Sequence, residues 1–208
     1  MKYIEQLVMI PLLTVIFTVG AYSFATTDEA KATDRLKVYT TAEDTKEHAQ
    51  QLDVAYFAGG CFWGTQEALD QVPGVVSTLV GYCGGHTTSP SYKSVCKHDT
   101  GHAETVRVVY DPKKISYQKL ARTFLDQHDP TTLNRQGFDI GDQYRSAIFY
   151  ADDREKNEAQ AAIAEKSKGL EPGRTVVTSL EKFKTFYTAE DYHQKYIART
   201  GVASCHGH

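Results

Sequence analysis

Val54-Ala55-Tyr56-Phe57-Ala58-Gly59-Gly60-Cys61-Phe62-Trp63-Gly64 is the stretch that organises the chain. Its first five residues form an apolar run of strand length, ended by two glycines. Glycines let the backbone turn tightly and leave room for a close approach. After the turn the period changes: Phe62, Leu69 and Val72 share one helical face and Glu67 and Asp70 lie off it, so residues 62–72 are predicted helix. Cys61 therefore stands at the first turn of a helix that follows a buried strand. The positive end of a helix and its unpaired N–H groups favour thiolate over thiol. A buried structural cysteine is the plain alternative. Phe62 and Trp63, the chain's single Trp, suit either a core or an apolar wall around a small alkyl group.

Outward from this turn, Pro73-Gly74 stops the helix and residues 75–82 read as a second strand. Gly84-Gly85 opens a loop to about His102. Residues 105–110 are strand-like and closed by Asp111-Pro112, and 117–127 carry Leu120 and Phe124 at helical spacing. A strand over 146–150, an Ala- and charge-rich helix over 152–168 and a last strand over 176–180 complete the order. Strands and helices mixed in this way predict an α+β fold, a two-layer sandwich around a mixed sheet.

The 208 residues are 41% hydrophobic with 13 Tyr and 9 Phe, enough to bury a sizeable core. A formal net charge of −3 and the lack of a basic run argue against a nucleic-acid partner. From Leu7 to Ala25 no residue is charged. That run reads as a secretory signal ending near Ala25, with an uncleaved membrane anchor as the alternative, since about 20 apolar residues span a bilayer. The chain is thus expected to be exported, periplasmic or anchored facing the periplasm. Residues 26–52 read as a polar linker, 53–197 as the catalytic domain and 198–208 as a flexible tail.

Four cysteines, Cys61, Cys83, Cys96 and Cys205, permit three disulfide pairings in an exported chain, although a domain this large does not need them. Cys205-His206-Gly207-His208 invites a metal, but a structural zinc site takes four well-spaced ligands and no CxxC pair is present; no metal is expected.

Gly60-Cys61-Phe62-Trp63-Gly64 resembles the signature of the peptide methionine sulfoxide reductase A family. Later blocks resemble it in the same order: Gly81-Tyr82-Cys83-Gly84-Gly85, Tyr92, Thr100-Gly101-His102-Ala103-Glu104, Tyr110-Asp111-Pro112, Gly141-Asp142-Gln143-Tyr144-Arg145-Ser146 and Glu190-Asp191-Tyr192-His193-Gln194-Lys195-Tyr196. The resemblance implies a ferredoxin-like core and reduction of methionine S-sulfoxide, in proteins and free, for repair of oxidative damage. It makes Cys61 the nucleophile and Glu104, at the mouth of an apolar strand, the proton donor, a role that requires a protonated carboxyl. Tyr82 and Tyr144 are then expected to bond the sulfoxide oxygen, with Phe62 and Trp63 around the S-methyl group. Asp139 is expected near the substrate, through water or the substrate amine, and His193 behind the site. Oxygen transfer leaves a sulfenic acid on Cys61 that a second thiol converts to a disulfide. The resemblance gives that task to Cys205 in the tail, and regeneration to an external dithiol such as thioredoxin, with no other cofactor and a monomeric enzyme.

Two features depart from the family pattern. Residues 198–204 lack the usual Asn-Pro and Tyr before the resolving cysteine, and Cys83 stands where a small residue or Met is usual. Cys83 either competes with Cys205 or is inert; Cys96 is read as packing. The rival reading, an exported binding domain held by disulfides, leaves the Glu104 and tyrosine blocks unexplained. So does a thiol–disulfide exchanger, which generally uses the CxxC pair absent here.

Overall fold

The computed structural model describes residues 38–39 and 51–202. The predicted signal or anchor, most of the linker and Cys205 lie outside the described residues. Among the described residues no helix is long and apolar enough to cross a membrane.

The elements are β1 (Val38–Tyr39), β2 (Asp53–Gly59), α1 (Phe62–Asp70), β3 (Val75–Cys83), α2 (Tyr92–Val95), β4 (Ala103–Tyr110), α3 (Tyr117–Asp126), β5 (Arg135–Gln136), β6 (Asp139–Ile140), β7 (Ser146–Tyr150), α4 (Asp153–Lys168), β8 (Ser179–Lys182), β9 (Phe186–Thr188) and α5 (Tyr196–Thr200). Three-ten turns at Asp142–Tyr144 and Asp191–His193 join them. The main sheet runs β1-β9-β3-β4-β2-β7-β8. Only its β7–β8 pair is parallel, which makes the sheet mixed and the fold α+β.

The centre of the sheet is covered on both faces, which explains why β2 and β4 read as continuous apolar runs rather than alternating ones. Ala55 and Phe57 of β2 face the helices, packing with Leu69, Leu120 and Phe124. Val54, Tyr56 and Ala58 face the other way, toward Phe183 and Phe186. Phe186 and Tyr56 sit three strand steps apart in the sheet, about 14 Å on a flat one. Their ring centroids are 5.5 Å apart, so the sheet is rolled around this second core. The roll brings β9 so close to β3 that a Cβ on Gly81 would lie 2.2 Å from the Tyr187 carbonyl oxygen; only glycine fits there.

The structure differs from the sequence reading at its short elements. Inside the predicted linker, Val38 and Tyr39 pair with β9 at the sheet edge. The last predicted strand starts later, at Ser179, because the Val177 N–H is taken by the Pro130 carbonyl at 2.8 Å. The loop over 84–102 contains α2, opened by a reciprocal capping box between Ser91 and Ser94.

Candidate active site

The turn between β2 and α1 positions Cys61. Gly60 has φ +89°, a conformation that favours glycine. The Thr65 hydroxyl faces back across the turn, 3.2 Å from the Gly59 carbonyl oxygen and 3.3 Å from that of Cys61. Cys61 is the N-cap residue of α1 and is 9% exposed, so it lies sheltered at the margin of the core.

Glu104 comes to it from β4. Antiparallel pairing sets Tyr82 of β3 directly opposite Glu104, and directly opposed residues share a face of the sheet. That face abuts the head of α1. The Phe62 N–H donates to Glu104 Oε2 at 3.0 Å, so the carboxyl group binds the backbone of the residue next to Cys61. Glu104 is 2% exposed.

Tyr82 departs from expectation. It is fully buried, and its hydroxyl donates to Glu190 Oε2 at 2.9 Å. The other Glu190 oxygen accepts the Tyr92 N–H at 2.9 Å. One carboxylate thus joins β3, α2 and the C-terminal segment, a role that sequence reading did not give it. Burial first, then the Glu190 charge and hydrogen bond, push the Tyr82 phenol far up. A hydroxyl committed to a carboxylate in this way is a structural tie, not a free donor.

Two other tyrosines, Tyr92 and Tyr144, are half-buried at the site. Burial pushes both phenols well above their usual range, and Glu104 is the leading charge that adds to it in each case. Asp139 and Cys61 also act on Tyr144. Tyr144, Glu104, Asp139 and Cys61 therefore share one neighbourhood, and Tyr92 adjoins it through Glu104. Tyr92 stands alone among the resembling stretches of the sequence, with no role assigned to it there. Its signal was the capping box, which fixes Tyr92 as the first residue of α2.

His193 lies behind this group at 1% exposure. Its Nδ1 accepts the Trp63 indole N–H at 3.0 Å, and its ring packs on Phe62, Tyr92 and Tyr192 at 5.0, 4.5 and 4.1 Å. Burial lowers its pKa. The residues that follow lock it down. The Gln194 side chain bonds Val80 through both its N–H (3.0 Å) and its carbonyl (2.9 Å), acting as a strand partner beyond the end of β9. Lys195 takes φ +51°, its ammonium 2.6 Å from both Asp70 oxygens. Tyr196 then stacks on Trp63 at 3.9 Å and 12°. The tail therefore leaves the domain beside the residue pair that follows Cys61.

The remaining thiols separate cleanly. Among the described residues Cys83 and Cys96 are not bonded in a disulfide. Cys83 neighbours Tyr82 in sequence but points to the opposite face of the sheet, into the Phe183–Phe186 core. It is 1% exposed, and its Sγ donates to the Thr185 carbonyl at 3.2 Å. Cys96 caps α2 and is hydrogen-bonded to Tyr92. Cys205 lies outside the described residues. Among the described residues no group of three or more His, Cys, Asp or Glu is arranged to hold a metal ion.

A sheltered thiol, a buried carboxyl group on its neighbour's amide and aromatic walls define a thiol-dependent oxidoreductase on an α+β scaffold. Comparison with known proteins makes the class specific. The family model described as peptide methionine sulfoxide reductase matches residues 53–208. A peptide methionine sulfoxide reductase MsrA of Methanosarcina acetivorans is 52% identical over 150 residues, covering 72% of this chain and 80% of its own. One from Erwinia tasmaniensis is 50% identical over 149 residues, covering 72% and 83%. Among solved structures, Mxr1 of Saccharomyces cerevisiae in reduced form superposes with TM-score 0.69 at 36% identity, covering 76% of this chain and 92% of its own. Methionine sulfoxide reductase A of Corynebacterium diphtheriae gives 0.64 at 34%, covering 74% and 78%. The chain belongs to the peptide methionine sulfoxide reductase family, and its reaction is the reduction of methionine sulfoxide.

Proposed function

We propose that Cys61 carries out this reduction as the nucleophile, with Glu104 as proton donor. The observation that carries the assignment is the 3.0 Å hydrogen bond from the Phe62 N–H to Glu104 Oε2, which keeps a carboxyl group within one residue of the thiol. Cys61 sulfur attacks the sulfoxide sulfur, and the oxygen, protonated by Glu104, passes to Cys61. Methionine leaves and Cys61 becomes a sulfenic acid. Tyr144 and Tyr92 donate to the oxygen as negative charge grows on it, a task to which protonated phenols in a sheltered site are suited. Phe62 and Trp63 enclose the methyl group, and Asp139 holds the substrate backbone.

The Cys205 thiol then attacks the sulfenic acid, releasing water and forming a disulfide. A dithiol such as thioredoxin reduces that disulfide and restores both thiols. The enzyme acts on the S epimer, as a monomer, after export. The test is a separation of the two sulfoxide epimers of a peptide after incubation with dithiothreitol. Wild type removes only the S epimer, Cys61→Ser removes neither, and Glu104→Gln is slowed about 10²–10⁴-fold. Cys205→Ser keeps activity with dithiothreitol and loses it with thioredoxin. Turnover by Cys61→Ser would end the assignment.

A further inference from the structure

The three most exposed large apolar residues among those described lie within eight positions of one another: Leu133 (73%), Phe138 (101%) and Ile140 (65%). Single exposed apolar residues are ordinary, but a cluster of them marks an interaction surface. Phe138 and Ile140 belong to the β5–β6 hairpin, in which Gln136 pairs with Asp139 and Arg135 with Ile140, and Leu133 lies just before it. Phe138 stands at its tip.

The hairpin is held in place rather than loose. The Gly141 N–H bonds the Asn134 carbonyl at 2.9 Å across its base, and Arg135 Nε bonds the Gly137 carbonyl at 2.8 Å. At Gly141 a Cβ would lie 2.2 Å from the Gln143 side-chain oxygen, so the chain is pressed flat there. The Tyr144 N–H then bonds the Gly141 carbonyl at 3.0 Å, which fastens the hairpin to the turn carrying Tyr144. Asp139, between the exposed Phe138 and Ile140, acts on the Tyr144 hydroxyl. The hairpin that carries the apolar residues is therefore fastened beside the substrate site.

We propose that Leu133, Phe138 and Ile140 form a docking ledge for the residues flanking a methionine sulfoxide in an apolar, loosened protein segment. Methionine is a core side chain, and its oxidation makes it polar and disrupts the packing around it. The segment that presents it therefore carries apolar neighbours that need cover, which the ledge provides. The ledge sets specificity for apolar-flanked peptides over polar-flanked ones and over the free amino acid. This inference rests on sulfoxide reduction at Cys61.

The test uses the full chain with dithiothreitol and three substrates: a pentapeptide with central methionine sulfoxide between leucines and valines, its serine-flanked counterpart, and free methionine sulfoxide. Wild type is expected to prefer the apolar peptide, and Phe138→Ser to lower kcat/KM for it about tenfold, through KM. The serine-flanked peptide and the free amino acid keep their wild-type values. Ile140→Thr is expected to act in the same direction, and since both residues point to solvent the melting temperature stays constant. Equal loss on all three substrates, or none on the apolar peptide, overturns the ledge. So does a concentration-dependent dimer that Phe138→Ser dissolves, which would assign the patch to a second copy of the chain. Failure of wild type on all three substrates removes the reductase assignment itself, and the ledge with it.

Discussion

Trp63 donates its indole N–H to His193 Nδ1 at 3.0 Å, which makes that nitrogen an acceptor and leaves no room on it for a proton. Burial, the larger influence, lowers the His193 pKa, and Glu190, 3.9 Å from Nε2, acts weakly the other way. The unfolded chain thus binds a proton near pH 6.5 that the folded chain refuses. Stability is intact above that pH and falls as the pH drops through it. His193→Phe keeps the ring packing and removes the titration, at a constant cost of about 1 kcal/mol for the stranded Trp63 N–H. Melting curves from about pH 8 to pH 5 should therefore converge for wild type and variant as the solution is acidified. Parallel curves would show that His193 does not titrate against folding.

Tyr82 and Tyr92 should fail in different ways. Tyr82→Phe removes the hydroxyl that satisfies Glu190, a hydrogen bond to a charged group worth about 1.5–3 kcal/mol. Tyr92→Phe removes a half-buried hydroxyl beside Glu104 and leaves the Tyr92 N–H on Glu190 untouched. Calorimetry and steady-state kinetics on the same preparations separate them. Tyr82→Phe is expected to lose stability and little activity beyond what misplacing Glu190 causes. Tyr92→Phe gives up only its side-chain bond with the Cys96 thiol, so it should lose less stability than Tyr82→Phe and about tenfold or more in kcat/KM. A reversal of the two patterns would return Tyr82 to the substrate oxygen.

Cys83 should be chemically silent. Its thiol is sealed in the core on the far face of the sheet, and burial pushes its pKa far up, so almost no thiolate forms. Ellman's reagent should modify it only after denaturant is added. Cys83→Ala should leave turnover with a disulfide reductase unchanged. Mass spectrometry after one equivalent of sulfoxide should find Cys83 reduced; a Cys61–Cys83 linkage would require the sheet to open.

The elements that carry Cys61 and Glu104 were legible because each is a long apolar run or a long helical period. Val54–Ala58 with two glycines marks a strand and a turn, and Phe62, Leu69 and Val72 mark a helix whose buried face is the observed one. What escaped was short or non-local. Two-residue strands such as Arg135–Gln136 have no period to read. Phe186–Thr188 is sheet only because the roll brings it against Gly81. Tyr82 and Tyr92 illustrate the limit at the site: the residue types suit the same chemistry, and the position of Glu190 decides that the Tyr82 hydroxyl is the one tied to a carboxylate. Glu190 lies 108 positions from Tyr82, a pairing that no local pattern announces.

Glu155 makes the opposite case to His193. It is 5% exposed in the first turn of α4, where the Ala151 N–H donates to it at 2.7 Å. Burial, the leading cause, raises its pKa from 4.5 to about 7. Between those values the folded chain keeps a proton that the unfolded chain has given up. Its contribution is therefore full below about pH 4.5 and is lost as the pH rises through about 7. Glu155→Gln still offers an oxygen to the Ala151 N–H and carries no charge to desolvate. It should stabilise the protein by about 2 kcal/mol at pH 8, roughly 4–8 °C in melting temperature, and by nothing near pH 4. Because His193 tilts the wild-type curve one way and Glu155 the other, the wild-type profile alone does not separate them. The two difference curves, each against its own variant, carry the test, and a Glu155→Gln curve parallel to wild type would mean that the carboxylate is solvated by an opening of the α4 end.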